Sequence, residues 1–255
     1  MMSVAMQGQN QHRHASAVAH AIHAVNAVQL TGLVKRYGLN KALDGVDLTF
    51  ESGKVVGLLG HNGSGKTTML KIIAGLRSPS SGKVKVFGMA PGVKTKQRVA
   101  FLPEVNAYYE WMTVDYLIDF AKSFHPDLSW ERAEVLKKFM GLKGESKVGA
   151  LSKGQQARLK LVIGLSRNAD LMLLDEPLAG IDPPSRARIL QALVGEFRQE
   201  HQTLIISTHE VKEAEPIFDH VVFLREGKVA LQGDAEALRA STGHSMEELF
   251  GEVLE

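Results

Sequence analysis

The sequence predicts an α/β fold interrupted by an α-helical insert, and three observations carry that prediction. Short apolar runs of strand length alternate with helix-spaced segments along most of the 255 residues. A glycine-rich turn, "GHNGSGKTT" at 60–68, lies between a buried strand and a helix. From about residue 105 to 168 the apolar spacing becomes wholly helical, after which strand signals return.

Each element follows from its residues. "AVQLTGL" and "LDGVDLTF" alternate like half-buried strands, with Asp44 and Gly45 punctuating the second. "KVVGLLG" reads as a buried strand that passes through the glycine turn into "KTTMLKIIAGL", a helix stopped by "RSPSSG". "KVKVFG" and "RVAFLPE" are further strands. In the insert, "TVDYLIDFAKSF" and "SWERAEVLKKFMGL" are helices, the second with Ser129 as its N-cap, and a third starts at Leu151. Strands return at "LMLLDE", "TLIISTH", "HVVFLRE" and "KVALQG", with helices between them. "SMEELFGEVLE" ends the chain as a short amphipathic helix over about 245–254.

Composition narrows the classes. At 44% hydrophobic residues the chain buries a full core, and one domain over 27–255 is expected. Thirty Lys and Arg against 28 acids give a formal charge of +2, with no push toward nucleic acid. The absence of cysteine excludes disulfides and thiolate metal sites and suits a reducing compartment. No apolar run reaches the roughly 20 residues that span a bilayer, so any membrane role comes through a partner. The first 26 residues contain no acid, one Arg, and His12, His14, His20 and His23. They lack the basic start and unbroken apolar stretch of a signal peptide and read as a flexible extension rather than a metal site.

Gly60 to Thr67 fits the phosphate-loop pattern G-x-x-x-x-G-K-[ST]. Backbone N–H groups across Gly60, His61, Asn62, Gly63, Ser64 and Gly65 can turn inward on phosphate oxygens, aided by the helix N-terminus that Thr68 extends. Lys66 would reach the β- and γ-phosphates, and Thr67 would offer its hydroxyl to Mg²⁺. "LMLLDEP" supplies the acids at a strand end: Asp175 to hold Mg²⁺ through water, Glu176 to orient and polarise the attacking water. His209, ending the apolar strand of "LIISTHE", is placed to contact the γ-phosphate. Glu104, where the core hands over to the insert, can approach the metal or the water and mark a hinge. A plain surface acid is the competing reading.

A second phosphate-seeking helix start follows at "LSKGQ", with Ser152, Lys153, Gly154 and Gln155. Either the insert folds this turn over the chain's own loop, or two copies pair head to tail and each lends the turn to the other. The residues leave both open.

Together and in this order, "GHNGSGKTT", "LSKGQ", "LMLLDEP", "AGID" and "STHE" resemble the ATP-binding subunit of an ABC transporter, from about residue 28 to the end. The resemblance implies a P-loop NTPase core of the ABC-ATPase type, with an antiparallel β subdomain and an inserted α-helical subdomain. It implies ATP and Mg²⁺ as ligands and metal contacts from Thr67, Asp175 and Glu104. It makes Lys66, Glu176 and His209 the catalytic set, with Glu176 the base and His209 the switch histidine. It assigns Tyr37, in "KRYG", to stacking on adenine, and Ser152–Gln155 to a signature turn acting in trans. Asp182, in "AGID", belongs to the loop that communicates across a dimer. It settles the choice above for the head-to-tail sandwich, with a second ATP-binding subunit, a copy of this chain, as partner.

A separate transmembrane permease subunit is the other implied partner, which places the protein in the cytoplasm on the inner face of the membrane. The C-terminal helix resembles that of export-type bacterial members, which directs the transport reading toward export. In the family the coupling helices of the membrane subunits dock beside the run "AYYEWMT", and Tyr108, Tyr109 and Trp111 suit either an interface or the insert's own core. The chain departs from the family pattern at Lys153, where glycine is usual, at Glu104, where glutamine is commonest, and at Ala179, where serine is usual. Two rivals remain: a soluble regulatory ATPase of the same type acting on nucleic acid or the ribosome, and a phosphate-loop kinase. The first lacks heptad insertions and a second domain here; the second leaves 151–155 unexplained.

Overall fold

The computed structural model describes residues 26–105, 108–199 and 201–254, so all but the last residue of the expected extension over 1–26 lies outside the described residues. Strands β1 (Asn26–Tyr37) and β2 (Asn40–Glu51) form an antiparallel hairpin. Along β2, Val46, Leu48 and Phe50 are buried while Asp47, Thr49 and Glu51 face out, the period-2 signature of a strand covered on one side. The chain then enters a second sheet through β3 (Val55–Leu59) and turns into α1 (Lys66–Ile73). It returns through β4 (Ser81–Val86), which pairs antiparallel with the free side of β1.

After the short α2 (Val93–Lys96), β5 (Val99–Leu102) leads into the helices α3 (Val114–Phe124), α4 (Trp130–Phe139) and α5 (Lys153–Leu165). Thr113 and Ser129 cap the first two through hydroxyls that accept from Tyr116 N–H and Arg132 N–H. Then come β6 (Leu171–Asp175), α6 (Pro183–Ala192) running on into a π-helical turn at Leu193–Phe197, and β7 (Thr203–Thr208). Helix α7 (Val211–Ala214), the hairpin β8 (His220–Arg225) and β9 (Lys228–Asp234), and helices α8 (Ala235–Thr242) and α9 (Met246–Leu254) complete the chain.

The larger sheet has the order β5-β6-β7-β3-β8-β9, parallel except for β9. Every residue of β3, β6 and β7 is buried, as a parallel sheet covered on both faces demands. Alternate side chains feed different cores. Val56, Leu58, Leu171, Leu173 and Ile205 join the core shared with the small sheet and α1. Val55, Leu59, Met172, Leu174, Leu204 and Ile206 join the other, which runs without a break into Val114, Leu117, Leu136 and Leu159 of the inserted helices. That insert is therefore welded to the sheet rather than hung from it. The strand order brings the C-terminal ends of β6, β7 and β3 side by side, where ligands of open α/β sheets bind.

Candidate functional site

Three loops leave that edge together. The first is the 60–67 turn after β3. Gly65 is held at φ +111°, and a side chain there would sit 2.4 Å from the carbonyl oxygen of Ala42, so the turn accepts only glycine. Lys66 is buried and donates from Nζ to the carbonyls of Gly60 (2.6 Å) and His61 (3.2 Å). Burial holds its ammonium below the usual lysine range, against the opposing pull of Glu176 and Asp175. Thr67 donates from Oγ1 to Oδ1 of Asp175 at 2.9 Å.

The second loop starts where β6 ends. Asp175 Oδ1 also accepts from Ser207 Oγ at 2.8 Å, while Oδ2 is buried without a partner. Glu176 adopts φ +44°, a left-handed backbone unusual for a glutamate. Its N–H donates to both the carbonyl and the Oγ of Ser207 (3.2 and 3.1 Å). Its carboxylate is almost fully buried, with Oε1 3.7 Å from Lys66 Nζ and 2.9 Å from His209 Nδ1. The third loop carries His209 off the end of β7, its ring partly open to solvent.

The structure thus gathers Lys66, Thr67, Asp175, Glu176 and His209 into one contiguous cluster. Ser207, the residue that ties Asp175 to Glu176, is not foreseen from the sequence; its only signal is a hydroxyl two residues before His209 in "STHE". The unpartnered Oδ2 of Asp175 and the Thr67 hydroxyl are hard oxygen donors of the kind Mg²⁺ takes. Among the described residues no group of three or more His, Asp or Glu could hold a metal by itself.

Other expected residues lie apart. Glu104 is exposed; Lys160 Nζ on α5 grips its backbone carbonyl (3.1 Å) and that of Pro103 (2.9 Å), and no bond joins its carboxylate to Thr67 or Asp175. Tyr37 ends β1 with its ring half exposed and Lys35 Nζ 5.2 Å from the ring centre. Asn62, Gly63 and the buried Ser64 line a cavity with His61 and Leu254, and Thr68 lies in the first turn of α1.

At the start of α5, Ser152 Oγ accepts from Gln155 N–H (3.3 Å) while Gln155 Oε1 accepts from Ser152 N–H (3.0 Å), a reciprocal capping box. Lys153 is exposed, and Gly154 lies so close to Gly180 that a Cβ would come within 2.9 Å of its carbonyl oxygen. Asp182 caps α6 and pairs with Arg158 of α5 at 3.5 Å; the Ser185 hydrogen bonds, with Arg158 adding less, hold its carboxyl below the usual range. Among the described residues no hydrogen bond or ion pair joins the 151–155 turn to the 60–67 loop. Ala179 lacks the hydroxyl a serine would bring; its N–H donates to Glu176 O at 3.3 Å.

A family model described as ABC transporter matches residues 43–179. An uncharacterized ABC transporter ATP-binding protein of Methanocaldococcus jannaschii is 32% identical over 218 residues, covering 82% of this chain and 78% of that one. The Nod factor export ATP-binding protein I of Burkholderia orbicola is 32% identical over 237 residues, covering 89% and 78%. A solved ATP-binding subunit of an ABC transporter superposes with a TM-score of 0.78 at 27% identity, covering 89% of this chain and 99% of that one. An ATP-binding cassette solved as a dimer in a post-hydrolysis state with ADP and Pi gives 0.73 at 25%, covering 82% and 98%.

Proposed function

The chain belongs to the ABC transporter family of ATP-binding proteins, and from that premise we propose that it binds and hydrolyses ATP as the motor of a transport system, acting as a head-to-tail dimer. The observation that carries the chemistry is the position of Glu176, whose carboxylate touches His209 and approaches Lys66 while its neighbour Asp175 is held by Thr67. In this reading Lys66 leaves the Gly60 and His61 carbonyls for the phosphates. Glu176 takes the proton of the attacking water, and His209 fixes the carboxylate and meets the γ-phosphate. Mg²⁺ bound by Thr67 and Asp175 would neutralise developing charge on the phosphate oxygens. Tyr37 would stack on adenine, and Glu104 would join the metal's surroundings only after its loop moves.

The dimer would let the 151–155 turn, which among the described residues makes no hydrogen bond or ion pair to the 60–67 loop, meet the phosphates held by such a loop. A second copy would bring the Ser152–Gln155 turn onto the γ-phosphate, led by the N–H groups of Lys153 and Gly154 that lie outside the capping box, with the Asp182 loop alongside. Dimer formation is also what a 25% identical cassette with ADP and Pi bound displays. The proposed division of the chain is an ATP-binding body over 27–255 with a helical lobe over about 105–168.

A membrane permease is the proposed partner, since no described helix is long and apolar enough to cross a membrane. It would seat the protein on the inner face of the cell membrane. Its docking surface is the cavity of about 340 Å³ between β5 and α3, walled by Tyr109, Phe120 and Phe124. The Nod factor export relative supports export as the direction of transport. The nucleic-acid or ribosome reading finds no support in these relatives.

Glu176→Gln tests the whole. It should bind ATP, lose turnover by about 100-fold or more, and accumulate as an ATP-dependent dimer in size-exclusion chromatography. A monomeric variant hydrolysing ATP at the wild-type rate sinks the proposal.

A further inference from the structure

Arg186, in the first turn of α6, lies outside every motif read above, yet it makes two contacts that close a ring around Glu176. Its Nε donates to the carbonyl of Ile181 at 2.6 Å, and its Nη1 forms an ion pair with Glu210 Oε2. Ile181 is buried and sits beside Asp182 in the loop that leaves Glu176. Glu210 directly follows His209, and its N–H donates to Thr208 Oγ1 at 2.9 Å. His209 in turn meets Glu176 at 2.9 Å.

Starting from Glu176, one path runs along 177–181 to Arg186, crosses to Glu210, and returns through His209 to the Glu176 carboxylate. The loop's own bonds, Ala179 N–H to Glu176 O and Ile181 N–H to Leu178 O, stiffen the covalent half. The fork of the guanidinium closes the other half, because it can address a carbonyl and a carboxylate at once.

We propose that Arg186 is a positioning residue for ATP hydrolysis, locking the Asp182 loop to the His209 loop so that Glu176 keeps its orientation. The proposal rests on the catalytic reading of Glu176. Arg158 extends the same network, since it bonds Ser185 at 3.2 Å and pairs with Asp182 from the helix that starts at Ser152. Arg158 thus ties the helix that starts at Ser152 to the Asp182 loop that Arg186 holds.

The test is steady-state ATP hydrolysis by the full chain with Arg186→Met, Arg186→Lys, Glu210→Gln and the Arg186→Met/Glu210→Gln double variant, with melting temperature measured alongside. Arg186→Met should lower kcat roughly 3- to 30-fold with KM for ATP nearly unchanged, because the 60–67 loop is untouched. Arg186→Lys, which keeps the charge but loses the fork, should restore part of kcat and cover the case in which the Met variant fails to fold. The double variant should be no worse than Arg186→Met, the mark of two residues acting through one pair. Wild-type kcat in both Arg186 variants, with Glu176→Gln inactive, overturns the Arg186 proposal alone. A Glu176→Gln variant with normal turnover overturns the reading of Glu176 and the Arg186 proposal together.

Discussion

The ring of Phe250 meets the imidazole of His61 edge-on, with centroids 5.0 Å apart. His61 is the second residue of the phosphate loop and Phe250 lies in the middle of α9, so the end of the chain rests on the loop that opens at residue 60. Arg225 Nη1 secures that helix by donating to the carbonyl of Val253 at 3.2 Å, and Met246, Leu249 and Leu254 bury its apolar face. Phe250→Ala should lower stability by about 1–2 kcal/mol through lost packing and the lost ring pair. It should also raise KM for ATP more than it lowers kcat. Denaturant midpoints and Michaelis curves measure both, and an unchanged KM would show that α9 does not steady the loop.

The aromatic surface on α3 makes a different prediction. Tyr109, Trp111, Tyr116, Phe120 and Phe124 form a chain of ring contacts with centroids 5.0–6.2 Å apart, and Tyr109, Trp111 and Phe124 are more than half exposed. Water-facing aromatics in such a row suit a partner's surface. Phe120→Ser with Phe124→Ser should leave ATP hydrolysis by the isolated chain within about twofold while abolishing recovery of the chain with the membrane fraction. Retention on membranes at the wild-type level would remove this row from the docking surface.

The pH dependence of stability follows from two histidines. Burial holds the imidazole of His220 below its ordinary value of 6.5, with Asp234 and Glu51 opposing. Burial, helped by Arg167 and opposed by Asp127, does the same to His125. Below 6.5 the unfolded chain takes up protons at these sites while the folded chain resists them, so the unfolded state binds more protons and stability rises with pH. The contribution is complete above about 6.5 and is lost as pH falls through it toward the folded values. Melting temperatures recorded between about pH 8 and pH 5.5 should therefore fall on the acid side, and His220→Gln should flatten the slope. An identical slope in that variant would show that His220 carries none of it.

The candidate site at the sheet edge was legible because its residue pattern is local. Asp175, Glu176 and His209 each sit where an apolar run stops, Lys66 closes the glycine pattern that follows another, and a buried strand announces its own end. Ser129 was legible as a cap for the same reason. Ser207 was not: its role comes from the β6–β7 register, which sets it against Asp175, and register between strands some thirty residues apart leaves no trace in either. Arg186 was hidden likewise, since its partners Ile181 and Glu210 lie on different loops. The strand order β5-β6-β7-β3-β8-β9 and the four-residue helices α2 and α7 also escaped, the helices being too short for a periodic signal.

The mutual bonds of Ser152 and Gln155 carry a last consequence. A helix start in which Ser152 N–H is held by Gln155 Oε1 and Gln155 N–H by Ser152 Oγ has little conformational entropy left to surrender when another molecule reaches it. In the proposed dimer, encounter between two copies then calls for little reordering of this turn, so its rate should answer to collision geometry and ionic strength and carry no lag from folding.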